Sequence, residues 1–455
     1  MSRICNDAGV RLYADVNLNH MASLSMPYYN NTPSNGVVFS SLNRTVNITD
    51  YHYPGVPFEK NDFHKFCVVN NSMNAHEMRN CQKDGHPDLN HNQYGVKEKM
   101  ILMLNRYLKM GVAGFRIDSA KYVWPKDLKY IFDNLDDLNV DFNFSIGSRP
   151  FFYHDIIDLG LDSISKTEYT PIGMVTEYLY AIKLSEIINY KSTPLASLVN
   201  WGPAMGFLSH QNALVFVDSH DTQQRGLVTE LNRYRVLTHK QRTKYIIANV
   251  FMLAHPYGRL KRIMSSYYYT DTDVKRGAPR VTTDDSDYIR APEFDANYQC
   301  KPASGWICEH RWSFILSMVA FANYFNARNL RDNNVMYFQT NGPNQIAFCR
   351  GHIAFVAINN DSERMFNKKL YTSLPPGIYC DIITGGLTSN SDACVGRYLL
   401  VDEQRYTLLQ LPVASDDDKL NYTHGAANIE TEEENAKYRE ESVLWRIFMI
   451  YCDKQ

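Results

Sequence analysis

Four aspartates in the first half of the sequence each stand near a polar or basic side chain and follow an apolar run. They are Asp15, Asp118, Asp155 and Asp221. One such aspartate is usually a helix cap or a turn residue, but four of them indicate a shared site. Paired carboxylates suit glycoside hydrolysis, in which one attacks the anomeric carbon and another protonates the leaving oxygen. The sequence shows neither a Ser-His-Asp elbow nor a nucleotide-binding glycine loop, which would favour other chemistry.

The segments that would position these aspartates alternate between β-rich runs and helical stretches over residues 9–221, as in a parallel sheet covered by helices. Six runs are predicted to be strands: 11–16, 114–118, 151–157, 173–178, 214–218 and 262–267. An α/β barrel and a doubly wound sheet both fit this pattern. In a barrel the carboxyl ends of the strands meet on one face, so the aspartates would converge there.

Three other regions have a different composition. Residues 21–89 are rich in Asn, Ser, Pro and Gly and predict an irregular inserted subdomain. Residues 321–414 alternate apolar and polar side chains, which predicts an antiparallel β domain. Residues 415–455 are acidic and predict a disordered or non-native tail, or one that ends in a short amphipathic helix. The remaining residues, 1–20 and 90–320, are predicted to form the catalytic part.

The overall composition is that of an ordinary globular protein, with 455 residues, 44% hydrophobic and 21% charged. A net charge of −2 argues against nucleic acid or an anionic membrane as the main partner and fits a neutral polar substrate. The sequence contains no run of 18 or more apolar residues that would span a membrane. We expect a monomer without membrane or nucleic-acid partners.

Six of the nine cysteines are close neighbours in the sequence. The pairs are Cys67 with Cys81, Cys300 with Cys308, and Cys380 with Cys394. Such spacings predict disulfides in an oxidising compartment, the alternative being coincidental free thiols. Glycosylation sequons point the same way and lie at Asn30, Asn43, Asn47, Asn70, Asn143, Asn360 and Asn421. The first residues do not form a signal peptide, so we expect a secreted protein whose native start is missing.

The motifs around the aspartates resemble the alpha-amylase family of glycoside hydrolases, most closely the calcium- and chloride-dependent animal alpha-amylases. In family order they are DVNLNH at 15–20, GFRID at 114–118, FYHDIIDLG at 152–160 and FVDSHD at 216–221, with MSSY at 264–267 and CEHRW at 308–312. The resemblance covers residues 5–411. It implies an α/β fold with a (β/α)8 TIM-type barrel lacking its first two strands, a small domain inserted after strand 3, and a C-terminal antiparallel β-sandwich domain.

The resemblance also implies an activity, namely retaining endo-hydrolysis of α-1,4-glucosidic bonds in starch, glycogen and maltooligosaccharides. Asp118 would be the nucleophile, Asp155 would stand at the acid/base position, and Asp221 would stabilise the oxocarbenium-like transition state. The implied sugar-binding residues are His20, Lys121 and His220.

Two ions are implied as well. The calcium ligands would be Asn19, the main-chain carbonyl of Arg79, Asp88 and the main-chain carbonyl of Tyr122, an oxygen set that suits calcium. The chloride ligands would be Arg116, Arg262 and Ser219. The family's usual asparagine is replaced by Ser219, which offers only one hydroxyl donor, so chloride binding is in question.

Three departures from the family leave a second interpretation open. Asp155 replaces a glutamate and is shorter by one methylene, about 1.5 Å. Tyr122 replaces a histidine. The first two barrel strands are absent, which indicates a truncated gene model or fragment, or else a true short protein. The alternative function is a catalytically impaired or inactive carbohydrate-binding or interaction protein on the same fold.

Overall fold

The computed structural model describes most of the chain in residue detail. The described residues are 1–21, 51, 56, 58–189, 193–223, 236–267, 278–279, 289–327, 334–388, 390, 393–413 and 447–451.

Six strands in the first 262 residues form one sheet in the order β1-β2-β3-β4-β5-β6. They are β1 Tyr13–Asn17, β2 Gly114–Asp118, β3 Phe151–His154, β4 Met174–Thr176, β5 Ala213–Phe216 and β6 Leu260–Arg262. The pairings from β1 to β5 are parallel. Every residue of β5 is buried, as expected for a strand covered on both faces. The predicted parallel sheet is therefore confirmed.

The sixth predicted strand, 262–267, is misplaced. The strand ends at Arg262, where the prediction begins. The segment after it bonds elsewhere, because the Ser266 main-chain nitrogen donates to Glu309 Oε2 at 2.7 Å and the Ile307 nitrogen donates to the Ser266 oxygen at 2.9 Å. The β-rich composition of this run therefore reflects packing within a loop.

In the part of the chain that the structure describes, the α-helices are α1 Ser2–Asp7, α2 Ala75–Met78, α3 Tyr94–Lys109, α4 Pro125–Asp133, α5 Tyr178–Ile188, α6 His220–Gln223, α7 Arg242–Ala254 and α8 Ser313–Ala327. Helix α3 buries Val96, Met100, Leu104 and Leu108. Their spacing of four residues places these side chains on one face, which is why this amphipathic segment forms a helix. Helix α8 continues past residue 320, where the sequence suggests a domain boundary.

The chain divides into two compact units, residues 1–178 with 211–214, and residues 179–210 with 215–455. The first unit contains the described part of the predicted insertion. That part has few helices or strands, and the disulfide between Cys67 and Cys81 cross-links it. The second unit contains the predicted β domain.

Within the described residues the β domain has eight strands. They are β7 Val335–Thr340, β8 Gln345–Arg350, β9 Ala354–Asn359, β10 Phe366–Tyr371, β11 Gly377–Cys380, β12 Tyr398–Val401, β13 Tyr406–Leu411 and β14 Ile447–Tyr451. The pairings β14-β9-β8-β7, β10-β13 and β11-β12 are antiparallel, as predicted. The core of the domain includes Phe355, Phe366, Leu370 and Leu411.

The end of the acidic tail differs from the expected short helix. Residues 447–451 form strand β14, which pairs with β9. Its Ile-Phe-Met-Ile-Tyr sequence is rich in side chains that favour strands. The rest of the tail lies outside the described residues.

All three predicted disulfides are present, between Cys67 and Cys81, Cys300 and Cys308, and Cys380 and Cys394. Within the described chain Cys5 and Cys349 are free, and Cys349 is buried in the β-domain core. No helix among the described residues has both the length and the apolar character needed to cross a membrane.

The sequons differ in exposure. Asn70 and Asn143 are exposed. Asn360 is only 2% exposed and its amide donates to the Ile188 oxygen at 3.0 Å, so it is not a plausible glycan acceptor in the folded protein. Asn30, Asn43, Asn47 and Asn421 lie outside the described residues.

Candidate active site

The register between β1 and β2 brings four polar residues to one face of the sheet. Asp15 lies opposite Arg116, and Asn17 lies opposite Asp118. Residues two apart on a strand point to the same face, so all four side chains share that face. Asp155 follows directly after β3, whose residue His154 pairs with Ile117. The carboxyl ends of three neighbouring strands thus supply the group.

Arg116 joins three carboxylates, and we call Arg116, Asp15, Asp118 and Asp155 the Arg116 cluster. Its Nη1 lies 2.7 Å from both Asp15 oxygens and 3.2 Å from Asp118 Oδ1, and its Nη2 lies 2.5 Å from Asp155 Oδ2. Burial alone would lower the pKa of Arg116, but the charges of Asp155, Asp15 and Asp118 outweigh it and raise that pKa. The guanidinium is therefore a permanent cation.

Asp155 is buried and held by donors on both oxygens. Besides Arg116, the Tyr178 hydroxyl donates to Asp155 Oδ1 at 3.1 Å. Both contacts present hydrogen to the carboxyl oxygens, which is the pattern that a carboxylate accepts. To donate a proton to a glycosidic oxygen, Asp155 must move away from Arg116.

Asp118 is more accessible, with 34% of its side chain exposed. Its Oδ2 accepts hydrogen bonds from Asn17 Nδ2 at 3.0 Å and from the Ser119 hydroxyl at 3.2 Å, while Oδ1 faces Arg116. Three donors therefore fix the carboxylate and leave one side of it open to solvent, as a nucleophile requires.

Asn17 connects His20 to Asp118. Asn17 Nδ2 is 3.0 Å from His20 Nε2 and also donates to Asp118. Burial, together with the nearby His86, lowers the pKa of His20 to about 3, so its imidazole is neutral. A neutral ring can form hydrogen bonds with sugar hydroxyls without adding charge.

Three of the predicted calcium ligands converge. The Asn19 side-chain oxygen lies 3.0 Å from the Tyr122 main-chain oxygen and 3.1 Å from Asp88 Oδ1, so three acceptors face one another without a donor. A cation among them would satisfy all three. Rotating the Asn19 side-chain amide by 180° would also satisfy these acceptors, because its nitrogen would then donate to the Tyr122 main-chain oxygen and to Asp88 Oδ1.

Asp88 has a further partner, His64, whose Nδ1 lies 2.6 Å from Asp88 Oδ2. Burial raises the pKa of Asp88 to about 6, partly offset by His64. In the described chain no group of three or more His, Cys, Asp or Glu side chains could hold a metal. The site at Asn19 therefore combines a single carboxylate, that of Asp88, with amide and main-chain carbonyl oxygens.

In this unit the side chains of Arg79, Tyr122 and Lys121 have protein partners, whereas the predicted calcium ligands at Arg79 and Tyr122 are main-chain oxygens. The Arg79 guanidinium pairs with Glu168 at 2.8 Å, which leaves only its main chain for a metal. The Tyr122 hydroxyl accepts from Lys83. Lys121 is buried and pairs with Asp162 at 2.9 Å, so it would have to break that pair to contact a sugar.

The second unit carries the remaining predicted groups. Asp221 and His220 lie in α6, with His220 Nε2 3.5 Å from Asp221 Oδ1. The His220 side chain is 54% exposed and accessible to a ligand. Ser219 is fully buried, and its hydroxyl accepts from the Thr222 nitrogen. Two buried nitrogens of Arg262, Nε and Nη2, have no hydrogen-bond partner among the described residues.

A second group of acids lies beside these residues, and we call Asp218, Glu309, Tyr245, Gln223 and Ser266 the Asp218 cluster. Tyr245 donates to Asp218 Oδ1 at 2.8 Å, and Gln223 donates to Asp218 Oδ2 at 2.7 Å. Burial, with the nearby Glu309, raises the pKa of Asp218 to about 8. Burial also raises the pKa of Glu309.

Sequence reasoning missed three residues at the Arg116 cluster. Asn17, Ser119 and Tyr178 all donate to the predicted catalytic carboxylates. Asn17 could have been found, because it stands two residues after Asp15 on the same strand. Tyr178 gives no such signal, since its contact with Asp155 depends on how the chain continues after β4.

Comparison with known proteins adds an independent line of information. Residues 337–415 match the family model described as the alpha amylase C-terminal all-beta domain. The alpha-amylase of Tenebrio molitor is 39% identical over 420 residues, covering 92% of this chain and 82% of that protein. An alpha-amylase-related protein of Drosophila atripex is 36% identical over 417 residues, covering 92% and 77%.

Solved structures agree. Wild-type alpha-amylase I of Eisenia fetida superimposes with a TM-score of 0.75 at 30% identity, over 99% of this chain and 82% of that one. A mutant of the same earthworm enzyme, in complex with maltohexaose, gives a TM-score of 0.74 at 30% identity, with the same coverage. With 39% identity to an alpha-amylase over nearly its whole length, and with the ordered strand-end carboxylates described above, the chain belongs to the alpha-amylase family of glycoside hydrolases.

Proposed function

We propose that the protein hydrolyses internal α-1,4-glucosidic bonds of starch, glycogen and maltooligosaccharides with retention of configuration. The observation that carries this proposal is the Arg116 cluster, in which one guanidinium holds Asp118 and Asp155 at neighbouring strand ends. The relatives' names and the maltohexaose complex of the earthworm mutant support the choice of substrate.

In the proposed reaction Asp118 attacks the anomeric carbon and forms a covalent glycosyl-enzyme. Asp155, once protonated, gives its proton to the leaving oxygen, and afterwards removes a proton from the incoming water. Asp221 stabilises the positive charge that develops on the sugar ring. His20, Lys121 and His220 bind sugar hydroxyls.

The short side chain of Asp155 limits the rate of this reaction. Its carboxylate lies against Arg116 at 2.5 Å and accepts from Tyr178. A glutamate would extend the carboxyl by about 1.5 Å towards the substrate. An error of about 1 Å in a reacting group can cost on the order of a hundredfold in rate, so the replacement has a large effect.

The test is release of reducing ends from soluble starch by the wild-type chain and by Asp155→Glu. We expect turnover by the wild type, faster turnover by Asp155→Glu, and none by Asp118→Asn, which keeps the shape of the nucleophile but removes its charge. The assignment would fail if the wild type bound maltooligosaccharide without turnover and Asp155→Glu restored none.

One specific observation supports a second function: the Asp155 carboxylate is hydrogen-bonded to both Arg116 and Tyr178. If that contact persists when sugar binds, no acid is available, and the protein is a carbohydrate-binding or interaction protein. Binding of maltohexaose without hydrolysis by both the wild type and Asp155→Glu would identify this case.

We further propose that Asn19, Asp88 and the main-chain oxygens of Tyr122 and Arg79 hold calcium. The convergence of three acceptors at 3.0 to 3.1 Å supports this. Calcium would tie the insertion to β1 and stabilise the fold, so removing it with a chelator should lower the melting temperature, and Asp88→Asn should abolish that effect. If the chelator has no effect and calorimetry shows no calcium binding, the calcium site is refuted, and the Asn19 amide has the orientation in which its nitrogen donates to Tyr122 and Asp88.

Chloride is proposed to be dispensable. Both terminal nitrogens of Arg116 already face carboxylates, and Ser219 is engaged with Thr222. Among the described residues, the buried donors of the three predicted chloride ligands that lack acceptors are Nε and Nη2 of Arg262 and Nε of Arg116. We therefore expect the same hydrolysis rate in acetate and in chloride buffers, and a strong rise with chloride would contradict this.

Secretion is proposed from the three disulfides, which form in oxidising compartments. The exposed sequons at Asn70 and Asn143 are compatible with glycosylation there. A mobility shift on removal of N-glycans from protein in culture medium would test both points.

A further inference from the structure

A single buried hydroxyl bridges the main chain on either side of Asp155. The Thr176 Oγ1 accepts a hydrogen bond from the Ile156 main-chain nitrogen at 2.9 Å and donates to the His154 main-chain oxygen at 3.3 Å, with the Ile156 oxygen more distant at 3.5 Å. We propose that Thr176 is a positioning residue for Asp155. This inference rests on the proposed function, in which Asp155 is the acid/base.

Main-chain support for Asp155 comes from both neighbouring strands. On one side the Asp155 nitrogen donates to the Ile117 oxygen of β2 at 3.0 Å. On the other side the register of β3 with β4 ends at His154 opposite Val175, one residue before Asp155. The Thr176 hydroxyl replaces the main-chain pairing at that point. Asp155 therefore depends on a side chain of β4 where a strand would normally depend on its backbone.

The residues that follow Thr176 hold other parts of the same site. The Tyr178 hydroxyl donates to Asp155 Oδ1 at 3.1 Å. Glu177, between them, is fully buried and pairs with Lys166 at 2.6 Å. Lys166 lies further along the chain that follows Asp155, so this pair connects that segment to the end of β4. The three consecutive residues thus act on the main chain, the carboxylate and the following segment of the acid.

The groups that meet at Thr176 are enclosed. Thr176, His154 and Ile156 are each 0% exposed. Valine has nearly the shape of threonine but no hydroxyl, so Thr176→Val leaves the buried Ile156 N–H without its acceptor. The main chain beside Asp155 must then move to satisfy that group. Because an error of about 1 Å in a reacting group can cost on the order of a hundredfold in rate, a small movement there changes catalysis.

The experiment compares kcat/KM of the full chain and of Thr176→Val for maltotetraose and for dinitrophenyl α-maltotrioside. This constant reports formation of the glycosyl-enzyme, in which Asp155 is the acid. A sugar leaving group needs the proton, whereas dinitrophenolate departs without it. General acid catalysis contributes roughly 10²- to 10⁴-fold, so we expect Thr176→Val to lower kcat/KM about tenfold more for maltotetraose than for the dinitrophenyl substrate.

Two further variants separate positioning from folding. Thr176→Ser keeps the hydroxyl and should restore the wild-type ratio of the two constants. Thr372→Val is the matched control, because the buried Thr372 hydroxyl in the β domain donates to the Arg405 oxygen at 2.9 Å and accepts from the Leu374 nitrogen at 3.3 Å. It should lower the melting temperature without altering the ratio.

The role of Thr176 is refuted if Thr176→Val lowers both constants equally or neither of them, or if Thr176→Ser behaves like Thr176→Val. All variants are measured in the wild-type and the Asp155→Glu backgrounds. A wild type that cleaves only the dinitrophenyl substrate refutes the proposed function, and the Asp155→Glu series then decides the role of Thr176. No cleavage of maltotetraose in either background refutes both proposals.

Discussion

The Arg116 cluster and the Asp218 cluster both gather acidic side chains, yet they neutralise them by different means. In the first, a guanidinium faces three carboxylates, two of which, Asp15 and Asp118, are partly open to solvent at 56% and 34%. In the second, Asp218 and Glu309 are buried, and their pKa values are raised by that burial. The first cluster places a cation against its carboxylates, whereas in the second cluster burial favours the protonated forms of Asp218 and Glu309.

The difference shows that residue type alone does not identify a catalytic acid. Asp118 and Asp218 each follow an apolar strand and each accept two or more hydrogen bonds. Of these two aspartates, Asp118 is the one that combines a permanent cation with access to solvent, which a nucleophile needs. Asp218 is enclosed and serves the fold.

The largest expected effect is the loss of the shared cation. Arg116→Met leaves Asp155 buried and facing other carboxylates without compensation, so we expect the free energy of unfolding to fall by roughly 3–5 kcal/mol. Unfolding by denaturant measures this change in the free energy of unfolding. Lys129→Met is the control, because its pair with Asp133 is more than half exposed and should contribute less than about 1 kcal/mol. Equal effects of the two changes would mean that Arg116 does not hold the cluster together.

The next effect tests whether the Asp218 cluster holds protons. Because the pKa of Asp218 is raised to about 8 in the folded state, folding favours its protonated form. Its contribution to stability is full below the unfolded pKa near 4 and is lost as the pH rises through 8. Between pH 5 and 8 the free energy of unfolding should therefore fall, by no more than about 1.4 kcal/mol per pH unit for this group.

Asp218→Asn should flatten that slope. Asp402→Asn is the matched control, since hydrogen bonds from Tyr406 and Lys369 lower the pKa of Asp402 and its contribution changes only at acid pH. Chemical unfolding at pH 5, 6, 7 and 8 distinguishes them. If the free energy of unfolding of Asp218→Asn still fell between pH 5 and 8, a group other than Asp218 would be the one that holds the proton.

A smaller effect is expected at Asn17, which positions Asp118 without touching substrate bonds. Asn17→Ala removes a hydrogen bond to a charged oxygen and should lower kcat about tenfold to a hundredfold with little change in KM. Asn92→Ala on the surface should leave both constants unchanged. A change confined to KM would instead make Asn17 a sugar contact.

The smallest effect compares the two buried tyrosines that donate to aspartates. Tyr245→Phe should destabilise the fold by about 1 kcal/mol, and more at pH 8 than at pH 5, because a donor bonds an ionised carboxylate more strongly. Tyr178→Phe should alter the hydrolysis rate, since it frees one side of Asp155. If both changes affect only stability, the contrast between the clusters is lost.

Local patterns predicted much of this molecule. Cysteine spacing identified all three disulfides, and alternation of β-rich and helical runs located the first five parallel strands. The parallel direction of β1 and β2 fits the alternating pattern, whereas the register that places Asp15 opposite Arg116 was seen only in the structure.

The rest depends on contacts between distant segments. Arg116 and Asp155 are 39 residues apart, and their contact is set by the length of two side chains at the ends of different strands. The last strand of the sheet was misplaced because Ser266 bonds to Glu309, a partner 43 residues away. Strand β14 is defined by its pairing with β9, far away in the sequence.

The buried thiol of Cys349 has a consequence for oxidative folding. Burial raises its pKa to about 11, and its sulfur lies 3.1 Å from the Thr372 oxygen in the closed β domain. Thiol exchange requires a thiolate, so burial disfavours attack by Cys349 on the Cys380–Cys394 bridge of its own domain in the folded protein. Before the domain closes that burial is absent, so packing of the β domain is what separates Cys349 from disulfide exchange.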